Sequence, residues 1–207
     1  MGKATLRLIG TFEAWAPFAR AGRLGRANGS EVPVLVRVLD GTTADEASLA
    51  ALREDGRLLG RLQHENVLRV EQTSGVGGKL AVVHENFDCV AMHKVLEALR
   101  ARGQVLPARV AAEVAATVGI ALEEALKIGD DERRLGHPGS TPQEVLVDTS
   151  GRVKLAGLRV RHQGAAWPAA PRGYAPPSAP SSGPDAWQAA TWMAGALLVE
   201  LLTGEPP

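Results

Sequence analysis

Short apolar runs separated by turn residues occupy the first part of the chain, which is the pattern of antiparallel strands. Turn signals such as Asn28-Gly29 and the glycines of 75–78 lie between consecutive runs. A segment at 44–62 carries leucines at helical spacing with charged residues between them. The pattern predicts five antiparallel strands and one helix in this part. The strand runs are residues 4–9, 18–24, 32–39, 67–71 and 79–85.

The spacing of the apolar residues becomes helical after residue 87. Residues 92–102 and 107–128 predict two helices. The second has Pro107 at its start and Gly129 just beyond its end, and these residue types favour those positions. The second part of the chain is therefore expected to open on helices.

A strand pair, a loop and a last helix are expected to complete the chain. Residues 145–148 and 153–155 read as a short hairpin. Residues 165–184 are rich in Pro, Ala, Gly and Ser and predict a loop, and an apolar helix follows over 184–204. A threonine and a glutamate interrupt its apolar stretch, which is shorter than the roughly 20 residues of a membrane span. No membrane span is predicted.

Composition narrows the classes of partner. Lys plus Arg and Asp plus Glu both number 23 in 207 residues, so no overall field draws the chain to nucleic acid or anionic lipid. Cys89 is the single cysteine, which excludes an internal disulfide and fits a reducing compartment. The first residues show no secretory signal. We expect a cytoplasmic globular protein that binds no nucleic acid and, with no H-E-x-x-H pattern, no zinc.

Four segments, taken in chain order, resemble motifs of one enzyme family. Residues 34–39 (VLVRVL) are similar to V-A-V-K-x-L, and residues 62–67 (LQHENV) to L-x-H-P-N-[VI]. Residues 142–148 (PQEVLVD) with 151–155 (GRVKL) resemble P-[EQ]-N-[VI]-L-[VL] and the strand that precedes D-F-G. Residues 200–204 (ELLTG) match E-L-L-T-G. These are motifs of the bacterial Ser/Thr (Hanks-type) protein kinases, and the chain resembles that family over almost its whole length.

The resemblance implies an α+β, protein-kinase-like fold with two lobes. Residues 1–87 would form the N-lobe, a five-stranded antiparallel sheet with one helix that corresponds to the family's αC. Residues 88–207 would form a partial, mostly helical C-lobe, truncated after a helix like the family's αF and lacking αG to αI. Residues 165–184 would stand in the place of the activation segment, in a degenerate form.

The phosphate-holding parts of the family are altered here. Phosphoryl transfer depends on held phosphates, metal ions and an aligned base. Residues 11–18, where the resemblance places the glycine-rich loop, contain no glycine. Arg37 stands in the position of the strand lysine and Asp55 in that of the αC glutamate. Because a guanidinium is a planar fork rather than a compact ammonium, the family's phosphate contact is not expected at Arg37.

The catalytic-loop and metal-binding motifs have lost their functional side chains. H-R-D aligns with residues 137–139 and D-F-G with residues 157–159, so glycine replaces both the base and the principal metal-binding aspartate. The asparagine that holds one metal ion becomes Glu144. With so few oxygen ligands, no magnesium site and no kinase activity are expected. The degenerate positions are His137, Pro138, Gly139, Gly157, Leu158 and Arg159.

Two functions stay open for such a domain, beside a third interpretation in which the resemblance reflects only the backbone of a purely structural domain in a larger chain. The first is a pseudokinase that scaffolds or regulates a protein partner in bacterial signalling and needs no cofactor. The second is a nucleotide-binding switch, or an atypical kinase, in which ATP binds without strong dependence on Mg²⁺, since backbone groups can recognise adenine. His84 would line this vestigial cleft at the gatekeeper position. The cleft residues would be Arg37, Asp55, Glu85, Phe87 and Glu144.

The last helix is the predicted interaction surface. The resemblance implies that further helices cover this helix in complete kinases, and their absence would leave an apolar face exposed. An exposed apolar patch of that kind marks an interface. A protein partner, a second copy, or later domains of a longer chain are expected to pack there. The predicted interface residues are Trp192, Leu197, Leu198 and Leu201.

Overall fold

The computed structural model describes residues 6–8, 19–25, 30–39, 45–130, 132–162, 171, 173–174 and 185–207. The first strands are β1 (Leu6–Leu8), β2 (Ala19–Gly25), β3 (Glu31–Val38), β4 (Val70–Val76) and β5 (Lys79–Glu85). They form one antiparallel sheet in the order β1-β2-β3-β5-β4. The predicted five-stranded antiparallel sheet is therefore confirmed.

The register of β3 and β5 sorts their side chains onto two faces. Val36 lies opposite Val83, and both belong to a small apolar cluster on one face. Leu35 lies opposite His84 on the other face. Because side chains two residues apart share a face, Arg37 lies on the side of Leu35. Leu35 packs in a cluster with residues from the second half of the chain, so this face looks toward that half.

Helix α1 (Glu46–Leu59) packs against β4. Its N-cap is Asp45, whose Oδ1 accepts a hydrogen bond from the Ser48 backbone N–H at 2.8 Å, which satisfies a donor that a helix start otherwise leaves open. A Cβ on Gly56 would lie 2.6 Å from Cγ2 of Thr73 on β4. Gly56 thus lets the helix approach the sheet closely, although glycine weakens a helix interior.

Three further helices lie where the apolar spacing predicts them: α2 (Met92–Arg100), α3 (Ala108–Leu126) and α4 (Asp185–Thr203). The largest apolar cluster takes residues from all four helices. Helices α3 and α4 run against each other, and a Cβ on Gly119 would lie 3.9 Å from the Cβ of Ala194. The core of the second half is built mainly around this helix pair.

Two small sheets complete the described elements. Strands β6 (Val90–Ala91), β8 (Val145–Val147) and β9 (Val153–Leu155) form one in the order β6-β8-β9. Strands β7 (Arg133–Gly136) and β10 (Arg159–His162) form an antiparallel pair. Strands β8 and β9 match the predicted hairpin. Strand β6 was not predicted because it has only two residues, and β7 and β10 were not predicted because their arginines hide any apolar alternation.

The connection between α1 and β4 is bonded to β9. The Leu155 N–H donates to the Asn66 carbonyl at 2.7 Å, and the Leu68 N–H donates to the Leu155 carbonyl at 2.9 Å. The Asn66 side-chain amide donates to the Val153 carbonyl at 3.0 Å. Residues 67–68 therefore pair with β9, and β4 begins later than the predicted run at 67–71.

The buried and exposed sides of α4 differ from the prediction. Leu197 and Leu201 are both 0% exposed within the main core, so their predicted place on an exposed interface is wrong. Helical spacing turns these two leucines toward the core, together with Met193. Leu198 is half-buried and Trp192 is 43% exposed. None of the helices in the described residues is long and apolar enough to cross a membrane.

Candidate functional site

Arg37 lies buried on the β3 face that looks toward the second half of the chain, with 6% of its surface exposed. Burial and then the nearby positive charge of Arg159 lower its pKa to about 10, while the negative charge of Glu144 acts in the opposite direction. The predicted site residues Glu144 and Arg159 therefore lie close enough to Arg37 for their charges to act on it. Arg159, expected only as a degenerate position, brings a second guanidinium to the site.

His137 uses both ring nitrogens on the backbone. Its Nε2–H donates to the Ala156 carbonyl at 2.9 Å, and its Nδ1 accepts from the Gly139 N–H at 3.1 Å. Burial lowers the pKa of His137, which fits a neutral ring with the proton on Nε2. Gly139 is buried and has no side chain to offer as a base, so this loop supplies no proton acceptor where the resemblance places one.

Gly157 lies against Glu144 and His137 in a conformation with φ +80°. A Cβ built on Gly157 would lie 2.8 Å from Cγ of Glu144 and 2.8 Å from Nε2 of His137. Real Cβ atoms do not approach other atoms so closely, and an L side chain is strained at this φ. The space that a metal-binding aspartate would need is filled by the neighbouring side chains.

Glu144 is a carboxylate that lies against Gly157 of the altered metal-binding motif. Its Oε2 accepts a hydrogen bond from the Thr141 hydroxyl at 3.1 Å, and its backbone carbonyl accepts from the Ala156 N–H at 2.8 Å. In the described part of the chain, no group of three or more His, Cys, Asp and Glu side chains could hold a metal ion. Magnesium prefers several oxygen ligands, so these residues do not fit the metal site that the resemblance implies.

Apolar side chains fill the region between the large sheet and β8. Leu35 on β3 and Leu146 on β8 are 2% and 0% exposed and belong to one cluster, which also contains Phe87. His84 is 5% exposed, and burial, followed by the charge of Arg37, lowers its pKa to about 4. The cavity beside His84 has a volume of about 10 Å³, which is room for roughly one water molecule.

Glu85 and Phe87, predicted as cleft residues, contact β9 and its hairpin. The Glu85 carboxylate accepts from Nζ of Lys154 at 2.8 Å and from the Arg69 N–H at 3.0 Å. Phe87 is 4% exposed, and the Lys154 ammonium and the Arg152 guanidinium each lie 5.6 Å from its ring centre. Both side chains therefore hold the connection after β5 against the second half of the chain.

The remaining predicted positions are dispersed. Asp55 is half-buried on α1, and its neighbour Glu54 forms an ion pair with Arg133 of β7 at 3.2 Å. Pro138 is half-buried in the loop after His137. Leu158 packs against the main core cluster. These contacts tie α1 and the altered motif to the second half rather than to one shared pocket.

Two predicted segments fall largely outside the described residues. The glycine-free segment 11–18 lies wholly outside them, and of the loop at 165–184 only residues 171 and 173–174 are described. Within that loop, the buried Tyr174 donates its hydroxyl to the carboxylate of Glu200 on α4. Trp192 donates its indole N–H to the Gly173 carbonyl at 3.3 Å. Both contacts fasten this part of the loop to α4.

Sequence reasoning missed Lys154 and the Leu35–Leu146 cluster, and it gave Arg159 only as a degenerate position. Lys154 reads as a solvated strand residue, and its partner Glu85 lies 69 positions away. Leu35 stands where the motif similar to residues 34–39 has alanine, so its larger volume was a visible signal. Arg159 was visible as a charge replacing a glycine, but its proximity to Arg37 depends on the packing of β10.

Comparison with known proteins relates this arrangement to solved kinase domains. The kinase domain of Mycobacterium tuberculosis PknI superposes with a TM-score of 0.71 at 19% identity, covering 99% of this chain and 75% of that chain. A second crystal structure of that domain gives 0.69 at 20% identity, covering 99% and 74%. A single-residue mutant gives 0.73 at 17% identity, covering 100% and 77%. No family model and no curated protein matches the chain. The chain therefore has a protein-kinase-like, α+β fold.

Proposed function

We propose that this chain is a catalytically inactive pseudokinase domain that binds another protein as a scaffold or regulator in bacterial signalling, in the cytoplasm. The observation that carries the proposal is the contact of Gly157 with Glu144 and His137, since a Cβ there would lie 2.8 Å from both side chains. A magnesium-binding carboxylate at this position would have to displace them. Phosphoryl transfer without that metal lacks its main source of charge stabilisation.

The loop around His137 supports the same conclusion. The Gly139 N–H is committed to Nδ1 of His137 at 3.1 Å, and Nε2 is committed to the Ala156 carbonyl at 2.9 Å. A general base must reach the proton of the attacking hydroxyl. Neither glycine nor a buried imidazole with both nitrogens in use meets that requirement. The loop has a structural role in this proposal.

A protein partner would bind to an exposed surface of this domain and not in its cleft. The outer side of α4 exposes Trp187, Trp192, Val199 and Leu202 at 41%, 43%, 46% and 38% of their surface. Clustered exposed apolar side chains of this size are typical of interaction sites. Leu197 and Leu201 support the surface from inside the core. In this proposal, α4 carries the partner-binding face.

A nucleotide-binding switch is the second candidate, and one observation favours it. Arg37 and Arg159 lie close enough for the charge of one to lower the pKa of the other, and a phosphate would relieve that repulsion. Such binding would depend on guanidinium groups and not on magnesium. The clustered Leu35 and Leu146 oppose it, because they occupy space between β3 and β8.

A phosphotransfer assay tests the main proposal. The purified chain is incubated with radiolabelled ATP and Mg²⁺ or Mn²⁺, with and without a Ser/Thr peptide library. We expect no label on the chain or on the library. The doubly altered chain Gly139→Asp, Gly157→Asp is expected to stay inactive too, because the new carboxylate at 157 has no space.

An active bacterial Ser/Thr kinase domain serves as the positive control in the same assay. Label incorporation by the wild-type chain that disappears in Glu144→Ala would contradict the proposal, since it would assign phosphoryl transfer to this site. The folded state of each variant is checked by circular dichroism, so that an unfolded variant is not counted as inactive.

A further inference from the structure

Leu35 on β3 links the large sheet to an apolar cluster that lies outside the sheet. Among the described members of this cluster, Leu35 alone comes from a strand of the sheet. At the β4 edge of the sheet, Val70 packs against the main core, and β3 is two strands away from that edge. Leu35 is therefore a second apolar anchor, placed where the sheet is farther from the first. The other cluster members are Leu68, Phe87, Ala91, Leu146 and Ala156.

The residues on either side of Leu35 serve the opposite face of β3. Val34 and Val36 belong to a different cluster, whose described members all lie in β3 or β5. Val36 is 0% exposed and Leu35 is 2% exposed, so the two neighbours are buried to the same degree. Because side chains alternate along a strand, β3 holds the sheet together with one face and meets the second half of the chain with the other.

Polar contacts hold the same region at the end of β5. Nζ of Lys154 donates to the Glu85 carboxylate at 2.8 Å and to the Val67 carbonyl at 3.3 Å. The cations of Lys154 and Arg152 each lie 5.6 Å from the ring centre of Phe87, which is a member of the Leu35 cluster. An ion pair and two cation–π contacts therefore flank the apolar cluster. All of these groups belong to the chain itself.

We propose that Leu35 clamps the large sheet against β8 and β9, so that the two halves of the chain stay closed on each other without a bound ligand. Two halves around a cleft open by a hinge motion unless contacts between them oppose it. Opening would return the surface of Leu35 and of its cluster to water, so burial of this side chain stabilises the closed arrangement. The inference concerns the motion of the domain and is independent of its catalytic state.

The single cysteine reports on the clamp, because Cys89 is half-buried against the Leu35 cluster. Burial, followed by the negative charges of Asp88 and Asp148, raises the pKa of Cys89 to about 12, so the thiol reacts slowly in the closed state. Maleimide labelling of Leu35→Ala is expected to be at least about tenfold faster than that of wild type. Val36→Ala, which shortens an equally buried side chain on the other face, should stay within about twofold of wild type.

Spin-label distances show whether the two halves separate. In a Cys89→Ala background, labels at Lys79→Cys on β5 and Ala116→Cys on α3 occupy exposed positions of the sheet and of the second half. This parent protein is expected to give one narrow distance distribution, which ATP with Mg²⁺ leaves unchanged. Adding Leu35→Ala is expected to broaden the distribution toward longer distances, whereas adding Val36→Ala is not.

Circular dichroism checks that each variant is folded, and the milder Leu35→Val carries the same comparison, with a smaller expected change, if Leu35→Ala does not fold. A parent distribution that is broad, or that narrows when ATP is added, overturns the proposal. The same holds if the Leu35 variants match wild type in both measurements, or if Val36→Ala changes them equally. Phosphotransfer by the wild-type chain would contradict the proposed function and leave the clamp standing, so the two failures are distinguishable.

Discussion

Nζ of Lys154 on β9 lies 2.8 Å from Oε1 of Glu85 at the end of β5, and this ion pair joins the two halves of the chain. The side chains are 14% and 21% exposed, so the pair is largely shielded from water. Burial alone would raise the pKa of Glu85, but the hydrogen bonds from Lys154 and Arg69 outweigh it and lower the pKa. A residue expected to line a nucleotide site thus stabilises the connection between the lobes.

Removing the charge of Lys154 should destabilise the fold. Lys154→Met is expected to lower the free energy of unfolding by about 2 kcal/mol, because it leaves the shielded Glu85 carboxylate without its charge-assisted hydrogen bond. Urea denaturation measures the change. The matched control is Lys94→Met, whose ion pair with Glu97 at 2.9 Å is about half exposed, at 49% and 54%. The control should cost less than about 0.5 kcal/mol, and equal effects would count against a shielded pair.

Gly157 should tolerate no side chain. Gly157→Ala combines strain at φ +80° with the close contacts to Glu144 and His137, and we expect a loss of about 3 kcal/mol or more in unfolding free energy. Gly151 is the matched control, since its φ is +85° but a Cβ there meets nothing within 4 Å. Gly151→Ala should cost only the backbone strain, about 1 kcal/mol. Thermal unfolding of both variants separates the steric effect from the strain, and similar losses would argue against filled space at 157.

The fold was readable from local patterns where elements are long or alternate regularly. The apolar run at 79–85 coincides with β5, and the hairpin at 145–155 with β8 and β9, because turns and β-branched residues mark their ends. Strands β7 and β10 were missed since their pairing, not their composition, makes them strands. Their arginines satisfy no apolar pattern, so only the tertiary structure reveals the pair.

The altered motif positions of the site could be predicted from the sequence, but the contacts and exposure of the side chains could not. The substitutions at Gly139 and Gly157 could be read from aligned motifs alone. The exposure of the α4 residues could not be predicted in this way, because the motif does not indicate which side of the helix packs against α3. Leu197 was assigned to the surface and is buried. The roles of Glu85 and Phe87 also depended on Lys154 and Arg152, which a one-dimensional pattern does not bring together.

Stability should fall on mild acidification because two histidines are buried in the neutral form. Burial lowers the pKa of His84 to about 4 and also lowers that of His137. Unfolded histidines titrate near 6.5 and take up protons first, so this contribution is complete above that pH and is lost as the pH falls toward 4. His84 alone should cost about 2 kcal/mol between pH 7 and pH 5.

The variant His84→Met removes one of these titratable imidazoles and puts an apolar side chain in its place. Its unfolding free energy, measured by urea denaturation at both pH values, should decline less than that of wild type. An identical decline in the two proteins would show that His84 is not the titrating group, and would contradict its burial as a neutral imidazole.

Alanine substitutions at Leu197 and Val199 should change the free energy of unfolding by different amounts, although the two residues are only two positions apart on α4. Leu197 is 0% exposed in the main core, so Leu197→Ala is expected to lower the unfolding free energy by about 3 kcal/mol. Val199 is 46% exposed, and Val199→Ala should change it by less than about 0.5 kcal/mol in the monomer. Chemical denaturation at low protein concentration compares them. A larger effect at 199 would reverse the assigned faces of the helix.

Isothermal titration of the purified chain with ATP, with and without Mg²⁺ and beside a Glu144→Ala control, tests the inactive cleft most directly. The filled contact at Gly157 and the clustered leucines predict no saturable, magnesium-dependent heat for either protein. Saturable binding that requires Mg²⁺ and weakens in Glu144→Ala would contradict the account, because it would demonstrate a working metal-nucleotide site.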